Sequence, residues 1–272
     1  MLHIGPVRIG GGAPLALIAG LNVLESSRDA IEFALALQAL AERRAIPLVF
    51  KASWDKANRT SHASYRGPGL DEGIEILRDV KRATDLPLLT DVHEPHQAKP
   101  LAAVVDCLQI PAFLCRQTDL IKACAATDLP LNVKKGQFLG PRDVPYIVEK
   151  IRAWGRGGVM LTERGTSFGY DDLVVDMRAL AQMREHAPVC FDATHAAQLP
   201  NAGTGVSGGD RRFVPPLARA AVAAGVDAVF LEAHPDPTAA PCDGPCQLDL
   251  SALDVLLGQL LAIDAALREG RA

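Results

Sequence analysis

The segment Lys51-Ala-Ser-Trp-Asp-Lys-Ala-Asn-Arg-Thr-Ser follows directly on the apolar run Ile46–Phe50 and puts three cations where a buried strand should end. Two lysines, an arginine, an asparagine and hydroxyl groups form a donor set suited to phosphate and carboxylate oxygens. Taken alone, the segment fits a solvated basic loop equally well. Arg164, in Leu161-Thr-Glu-Arg-Gly-Thr-Ser-Phe-Gly-Tyr, offers a guanidinium fork flanked by glycine and hydroxyls, a second clamp for an anion. Its competing role is an ion pair with Glu163. Lys134 and Lys135 are neighbours, so a strand can point only one of them inward, and Lys134 is the expected one.

These groups need a scaffold that brings distant parts of the chain together. Short apolar runs recur at Leu15–Ala19, Pro47–Phe50, Pro87–Thr90, Cys107–Ile110, Leu131–Val133, Gly158–Leu161, Pro188–Phe191 and Ala228–Leu231. Helical patterns separate most of them, at Ala30–Arg44, Gly73–Thr84, Val144–Trp154, Leu173–Glu185 and Leu217–Ala224, with a last one at Leu250–Arg268. About eight βα units in 272 residues predict a single (β/α)8 TIM barrel spanning 1–272, with residues 1–12 as a hairpin under its bottom. In that fold, chemistry collects at the C-terminal ends of the strands. The ends here carry Asn22 and Glu25; Lys51, Lys56 and Arg59; Asp91 and His93; Gln109; Lys134 and Lys135; Glu163 and Arg164; Asp192 and His195; Glu232 and His234. One polar residue after a strand is usually a turn or cap; eight such ends predict a site. Two long segments, 201–213 and 236–248, follow the last two strands and are expected to be active-site loops.

Composition narrows the function. A net charge of -4 argues against a broad nucleic-acid or acidic-membrane surface, so anion binding must be local. No apolar run looks long enough to span a bilayer, and no basic segment precedes Leu15–Leu24 as a signal peptide would require. Six scattered cysteines in a chain of this length read as reduced thiols in a cytosolic protein.

Three motifs carry less than their letters suggest. Gly203-Thr-Gly-Val-Ser-Gly208 matches a dinucleotide fingerprint, but Asp210-Arg-Arg-Phe-Val-Pro-Pro follows, so no helix starts in time and the glycines read as loop flexibility. His93-Glu-Pro-His96 and Cys242-Asp-Gly-Pro-Cys246 are poorly spaced for a metal, since Pro95 breaks the helical presentation of the histidine pair. His195, Glu232 and Asp243 could offer N/O ligands to a divalent ion, or could hold substrate hydroxyls.

Along almost its whole length the chain resembles the 3-deoxy-D-manno-octulosonate 8-phosphate synthase family. The resemblance rests on the lysine-rich segment above and on Ser64-Tyr-Arg-Gly-Pro-Gly, Thr90-Asp-Val-His-Glu-Pro, Gln109-Ile-Pro-Ala-Phe-Leu-Cys-Arg-Gln-Thr-Asp-Leu, Asn132-Val-Lys-Lys-Gly-Gln-Phe, Phe168-Gly-Tyr, Phe191-Asp-Ala-Thr-His and Glu232-Ala-His-Pro-Asp-Pro. It implies condensation of phosphoenolpyruvate with arabinose 5-phosphate and water in a cytoplasmic homotetramer that serves lipopolysaccharide synthesis. It further implies that Lys51, Lys56, Gln109, Ala112, Lys134 and Arg164 hold phosphoenolpyruvate and that Asn58, Arg59 and Thr60 receive the pentose phosphate. His195, Glu232, Asp91 and Asp243 would surround the reacting carbons. Lys56 or water would protonate the alkoxide, and His195 or Asp243 would activate the attacking water. The related synthase using erythrose 4-phosphate and a non-catalytic sugar-phosphate-binding barrel are the alternatives.

The family has a metal-dependent and a metal-independent branch. Lys134-Lys-Gly-Gln-Phe and Leu161-Thr-Glu-Arg-Gly are similar to the first, in which a cysteine stands where this chain has Asn22. Asn22 and Cys242-Asp-Gly-Pro are similar to the second. A neutral amide is a poor substitute for a thiolate, so the resemblance implies no required cofactor. Asn22 would then orient substrate or water, with His195, Glu232 and Asp243 a vestigial set.

Overall fold

In a computed structural model, which describes residues 1–169, 172–199 and 208–270, eight parallel strands close into a barrel. They are β3 (Ala16–Val23), β4 (Leu48–Ser53), β5 (Leu88–Asp91), β6 (Cys107–Ile110), β7 (Leu131–Lys134), β8 (Val159–Glu163), β11 (Val189–Asp192) and β14 (Ala228–Glu232). Each pairs with its predecessor, and β14 closes the ring against β3. Below them, β1 (Leu2–Ile4) and β2 (Val7–Ile9) form the expected antiparallel hairpin. Its Leu2, Ile4, Val7 and Ile9 join inward residues Ile18, Val49, Leu89, Met160, Cys190 and Phe230 in one apolar cluster that plugs the barrel's lower half. A second, larger cluster lies between strands and helices. The barrel is therefore solid below and open to chemistry only above.

The long helices are α1 (Ser27–Arg44), α2 (Leu70–Thr84), α5 (Val144–Trp154), α8 (Val214–Ala223) and α9 (Leu250–Glu269). The starts of α1, α2 and α8 lie one turn before the first apolar-periodic residue, because polar and proline N-terminal chemistry sets them. Ser26 accepts from the Asp29 N–H, Gly69 precedes α2 with φ 93°, and Pro215 and Pro216 open α8.

Two expectations are corrected here. The helix expected over Leu173–Glu185 is preceded by a strand: β10 (Asp172–Val174) pairs antiparallel with β9 (Thr166–Phe168), and α6 (Met177–Arg184) starts only after Asp176 accepts from the Arg178 N–H. Leu173 and Val174 suit either pattern, and pairing with β9 decides. Secondly, α9 is long and apolar enough, by length and composition, to cross a membrane. It instead buries Leu253, Leu256, Leu257 and Leu260 against the barrel beside α1 and α8. Asp254 meets Arg44 of α1 at 2.5 Å, and Arg268, which meets Asp264 at 2.7 Å, also donates to the carbonyl of Gly12.

All six cysteines are free and buried. Of the two expected loops, 236–248 ends in a short 3-10 turn, Gly244–Cys246. Residues 201–207, with most of the glycine motif, lie outside the described residues; Gly208–Gly209 forms β13, paired with β12 (Gln198–Leu199).

Candidate active site

The barrel's open end is assembled from strand ends, beginning with an irregularity in β3. Leu21 aligns with Ala52 and Val23 with Ser53, so Asn22 is an extra residue without a partner in the ladder. Two residues earlier, Gly20 has φ 158°, and a Cβ there would lie 2.0 Å from the backbone oxygen of Lys51. The close approach of β3 and β4 thus requires glycine and brings Lys51 against β14. Lys51 Nζ donates to Glu232 Oε1 at 2.6 Å and to the carbonyl of Asn22 at 3.3 Å. Asn22 Nδ2 donates to Glu232 Oε2 and, at 3.0 Å, to Asp243 Oδ2. Lys56 Nζ lies 3.9 Å from Glu232 Oε1.

The opposite wall is built on Asp192, at the end of β11. Its Oδ1 caps the one-turn helix α7 (Ala193–Ala196) by accepting the His195 N–H at 2.9 Å. Its Oδ2 accepts from Lys134 Nζ at 2.5 Å and lies 2.7 Å from His195 Nδ1. A carboxylate against Nδ1 holds the ring proton there and leaves Nε2 facing Glu232 Oε2 at 3.5 Å and Asp243 Oδ2 at 4.0 Å. Lys134 Nζ also sits 3.9 Å from the centroid of the Phe230 ring. Lys134 faces into the barrel, as expected; Lys135 points out, to Gly136 O, Leu139 O and Thr166 Oγ1.

The alternative pairing of Arg164 with Glu163 does not form. The Glu163 carboxylate turns back to accept the N–H groups of Arg164 (3.0 Å) and Gly165 (2.6 Å) and pairs with Lys135 at 3.6 Å. Arg164 Nη2 donates instead to the carbonyl of His195 at 2.8 Å and to Gln198 Oε1 at 2.7 Å, while its buried Nε has no partner among the described residues. A buried guanidinium with an unmet donor at a cavity wall is fitted to an anion.

The enclosed space is about 450 Å³ and is lined by Lys51, Lys56, Asn58, Arg59, Thr60, Asp91, Gln109, Ala112, Lys134, Arg164, His195 and Asp243, with others between them. Its walls are strongly charged. Burial alone would raise the Asp91 carboxyl, but Lys51 and Lys56 hold it far below the usual range. Burial is likewise outweighed at Asp192 by His195 and Lys134, and at Glu232 by Lys51 and His195. Asp243 is held down by His195 and Lys56. Burial lowers the Lys51 and Arg164 pKa values. Lys56 is raised despite its burial by Glu232 and Asp91. The groups are therefore ionised together, each charge compensated by an opposite one.

Residues 2–267 match the family described as the DAHP synthetase I family. Proteins called 2-dehydro-3-deoxyphosphooctonate aldolase are similar to the chain from end to end. Those of Trichlorobacter lovleyi and Hahella chejuensis are 52% and 48% identical over 268 and 269 residues, covering 98% of this chain and 98% and 96% of theirs. That of Koribacter versatilis is 56% identical over 259 residues, 94% of this chain and 93% of its own. The chain belongs to the 2-dehydro-3-deoxyphosphooctonate aldolase family.

In this aldolase-family barrel, eleven side chains named from sequence line one cavity, from Lys51 on β4 to Asp243 after β14, together with Ala112; Asn22 and Glu232 lie behind its wall. Arg59 donates to the carbonyl of Pro241 at 3.2 Å, linking the Asn58–Thr60 segment to the 236–248 loop. Of the other strand-end groups, His93 also lines the cavity, while Glu25 and His234 do not. His234 pairs with Glu25 at 3.3 Å, and His96 with Glu94 at 3.3 Å, all outside the cavity. Cys246 donates to the carbonyl of Ala197 at 3.3 Å.

Among the described residues, His195, Glu232 and Asp243 form a group whose potential ligand atoms lie within 4.8 Å of one another. The fourth wall of that group is the amide of Asn22, which presents hydrogens, not a lone pair, to both carboxylates. Turning the amide over would set its oxygen against two anions. Lys51 also occupies Glu232 Oε1. This donor set does not fit a divalent cation.

Ser53, Asn132, Thr162 and Gln198 also serve the site but were given no part in it from sequence. Asn132 lies inside a run that reads as apolar, and Ser53 and Thr162 stand just past the ends of two others; a polar residue at an inward position near a strand's C-terminal end was the available signal. Asp192 was visible as a strand-end residue without an assigned task.

Proposed function

We propose that the chain condenses phosphoenolpyruvate with D-arabinose 5-phosphate and water, giving 3-deoxy-D-manno-octulosonate 8-phosphate and inorganic phosphate. The observation that carries this reading is the convergence of Lys51, Lys56, Lys134 and Arg164, three of them also bound to buried carboxylates or carbonyls, around one cavity. Two mutually repelling phosphorylated molecules need such a rim, and holding them in line can supply several kcal/mol of the barrier.

In this mechanism Lys134, Arg164 and Gln109 hold phosphoenolpyruvate, with its carboxylate or phosphate on the Arg164 guanidinium. Asn58, Arg59 and Thr60 hold the phosphate of the pentose. The C2–C3 double bond of phosphoenolpyruvate attacks the aldehyde carbon through C3, and the aldehyde oxygen takes a proton from Lys56 or water. Water adds to the cation at C2, losing its proton to His195 Nε2 or Asp243, the two groups that face each other at 4.0 Å. The tetrahedral centre then expels phosphate by C–O cleavage. Asn22 fixes Glu232 and Asp243 in this arrangement. With phosphoenolpyruvate present, arabinose 5-phosphate should release phosphate and erythrose 4-phosphate should not; equal rates would transfer the protein to the heptulosonate reaction, and ligand binding without release would make it a binding barrel.

The reaction as proposed needs no metal, and the support is the amide of Asn22. Dialysis against a strong chelator should leave the rate unchanged. Asn22→Cys should create stoichiometric zinc binding, measured directly on the dialysed protein by metal analysis, because a thiolate then joins His195, Glu232 and Asp243. Chelator-sensitive activity in the unaltered chain would refute this. A homotetramer in the cytoplasm completes the proposal; sedimentation equilibrium tests the subunit number.

A further inference from the structure

Beneath the cavity, five side chains from five consecutive strands are joined in a row. Ser53 on β4 and Gln109 on β6 both donate to the Asp91 carboxylate on β5. Asn132 Nδ2 on β7 donates to Gln109 Oε1 at 2.8 Å, and Thr162 Oγ1 on β8 donates to Asn132 Oδ1 at 2.5 Å. Asp91 gives the row its direction, since an ionised carboxylate only accepts. Gln109 must therefore turn its NH2 toward Asp91 and its oxygen toward Asn132, whose own oxygen is left to take the Thr162 hydroxyl. Gln109 and Asp91 line the cavity; Asn132 and Thr162 are fully buried and do not.

We infer that Asn132 and Thr162 are positioning residues for the amide of Gln109, holding its second Nε2 hydrogen free for the phosphoenolpyruvate carboxylate or phosphate. This rests on the assignment above of Gln109 to phosphoenolpyruvate. Networks whose members are all satisfied are rigid, and removing one member leaves a buried partner unmet. Asn132→Leu keeps the volume but deprives Gln109 Oε1 of its donor, so the amide can rotate away from the cavity. Thr162→Val loosens Asn132 one bond further off and should act in the same sense but more weakly.

The test is steady-state kinetics. Asn132→Leu should raise KM for phosphoenolpyruvate about tenfold, leave KM for arabinose 5-phosphate unchanged, and add nothing further in a Gln109→Ala background. Thr162→Ser, which keeps the hydroxyl, should behave as the unaltered enzyme while Thr162→Val does not. Additive effects in the double variant, or equal changes in both KM values, would make the two residues merely structural and overturn the inference. If Gln109→Ala itself leaves KM for phosphoenolpyruvate unaltered, the assignment of Gln109 fails and the inference falls with it. Should Asn132→Leu not fold, the Thr162→Val and Thr162→Ser pair decides alone.

Discussion

Lys51→Met will unfold in urea with a loss of about 3 kcal/mol and will release phosphate at least about a hundredfold more slowly. Lys51 is fully buried, and its partner Glu232 is 0% exposed. Removing the cation leaves that carboxylate with Asn22, Lys56 at 3.9 Å and His195 at 3.5 Å, none of which replaces a 2.6 Å charge-assisted bond. Breaking one half of a buried pair is costly because the remaining charge stays desolvated. Glu232 would then draw Lys56 or His195 toward itself and away from the substrates, which is why rate and stability fall together. An unchanged midpoint and slope of unfolding would show that Glu232 is not compensated by Lys51.

The second large effect is acid sensitivity. Asp91, Asp192, Glu232 and Asp243 all have folded pKa values below their ordinary ones, the cations of the site outweighing the burial that opposes their charge. Between the folded and the ordinary values the unfolded chain binds more protons than the native one, so each group adds stability that is present at neutral pH. That stability is lost as pH falls from about 5 through the folded values. Four groups acting together give a limiting slope of about 5 kcal/mol per pH unit. Glu163 acts with the opposite sign, because burial raises its pKa: its contribution is full in acid and is lost as pH rises through the raised value. Urea unfolding measured at a series of pH values from neutrality downward should show this steep fall, and Asp192→Asn should flatten it by about 1.4 kcal/mol per pH unit. A profile flat from neutrality to about pH 3 would mean that the carboxylates are not ionised as a group.

Much of this site was legible because a barrel sorts its residues by position in the strand. Lys51, Asp91, Gln109, Lys134, Asp192 and Glu232 are last or near-last residues of strands, and the topology alone carries them to one rim. That only one of Lys134 and Lys135 faces inward followed from the alternation of a strand, and the inward one is Lys134. Pairing did not follow: Glu163 and Arg164 are adjacent in sequence, yet the carboxylate takes backbone N–H groups and the guanidinium reaches the turn after β11. Such choices depend on where the backbone runs after the strand. The helix starts were missed by a turn because a serine cap (Ser26), a glycine (Gly69) and the proline pair before Leu217 set them, and hydrophobic periodicity cannot see such signals. In the inner row Asp91 and Gln109 were legible as strand ends, but Ser53, Asn132 and Thr162 were passed over as single polar residues beside apolar neighbours.

The unpaired position of Asn22 in β3 has a bearing on how this scaffold can change its chemistry. Because the strand accommodates one residue more than its neighbour, no ladder hydrogen bond depends on which side chain stands there, while the side chain itself reaches two carboxylates. The architecture separates what holds the cylinder together from what tunes its mouth. An exchange at 22 therefore alters the corner that meets the two carboxylates and leaves the surrounding strands in place.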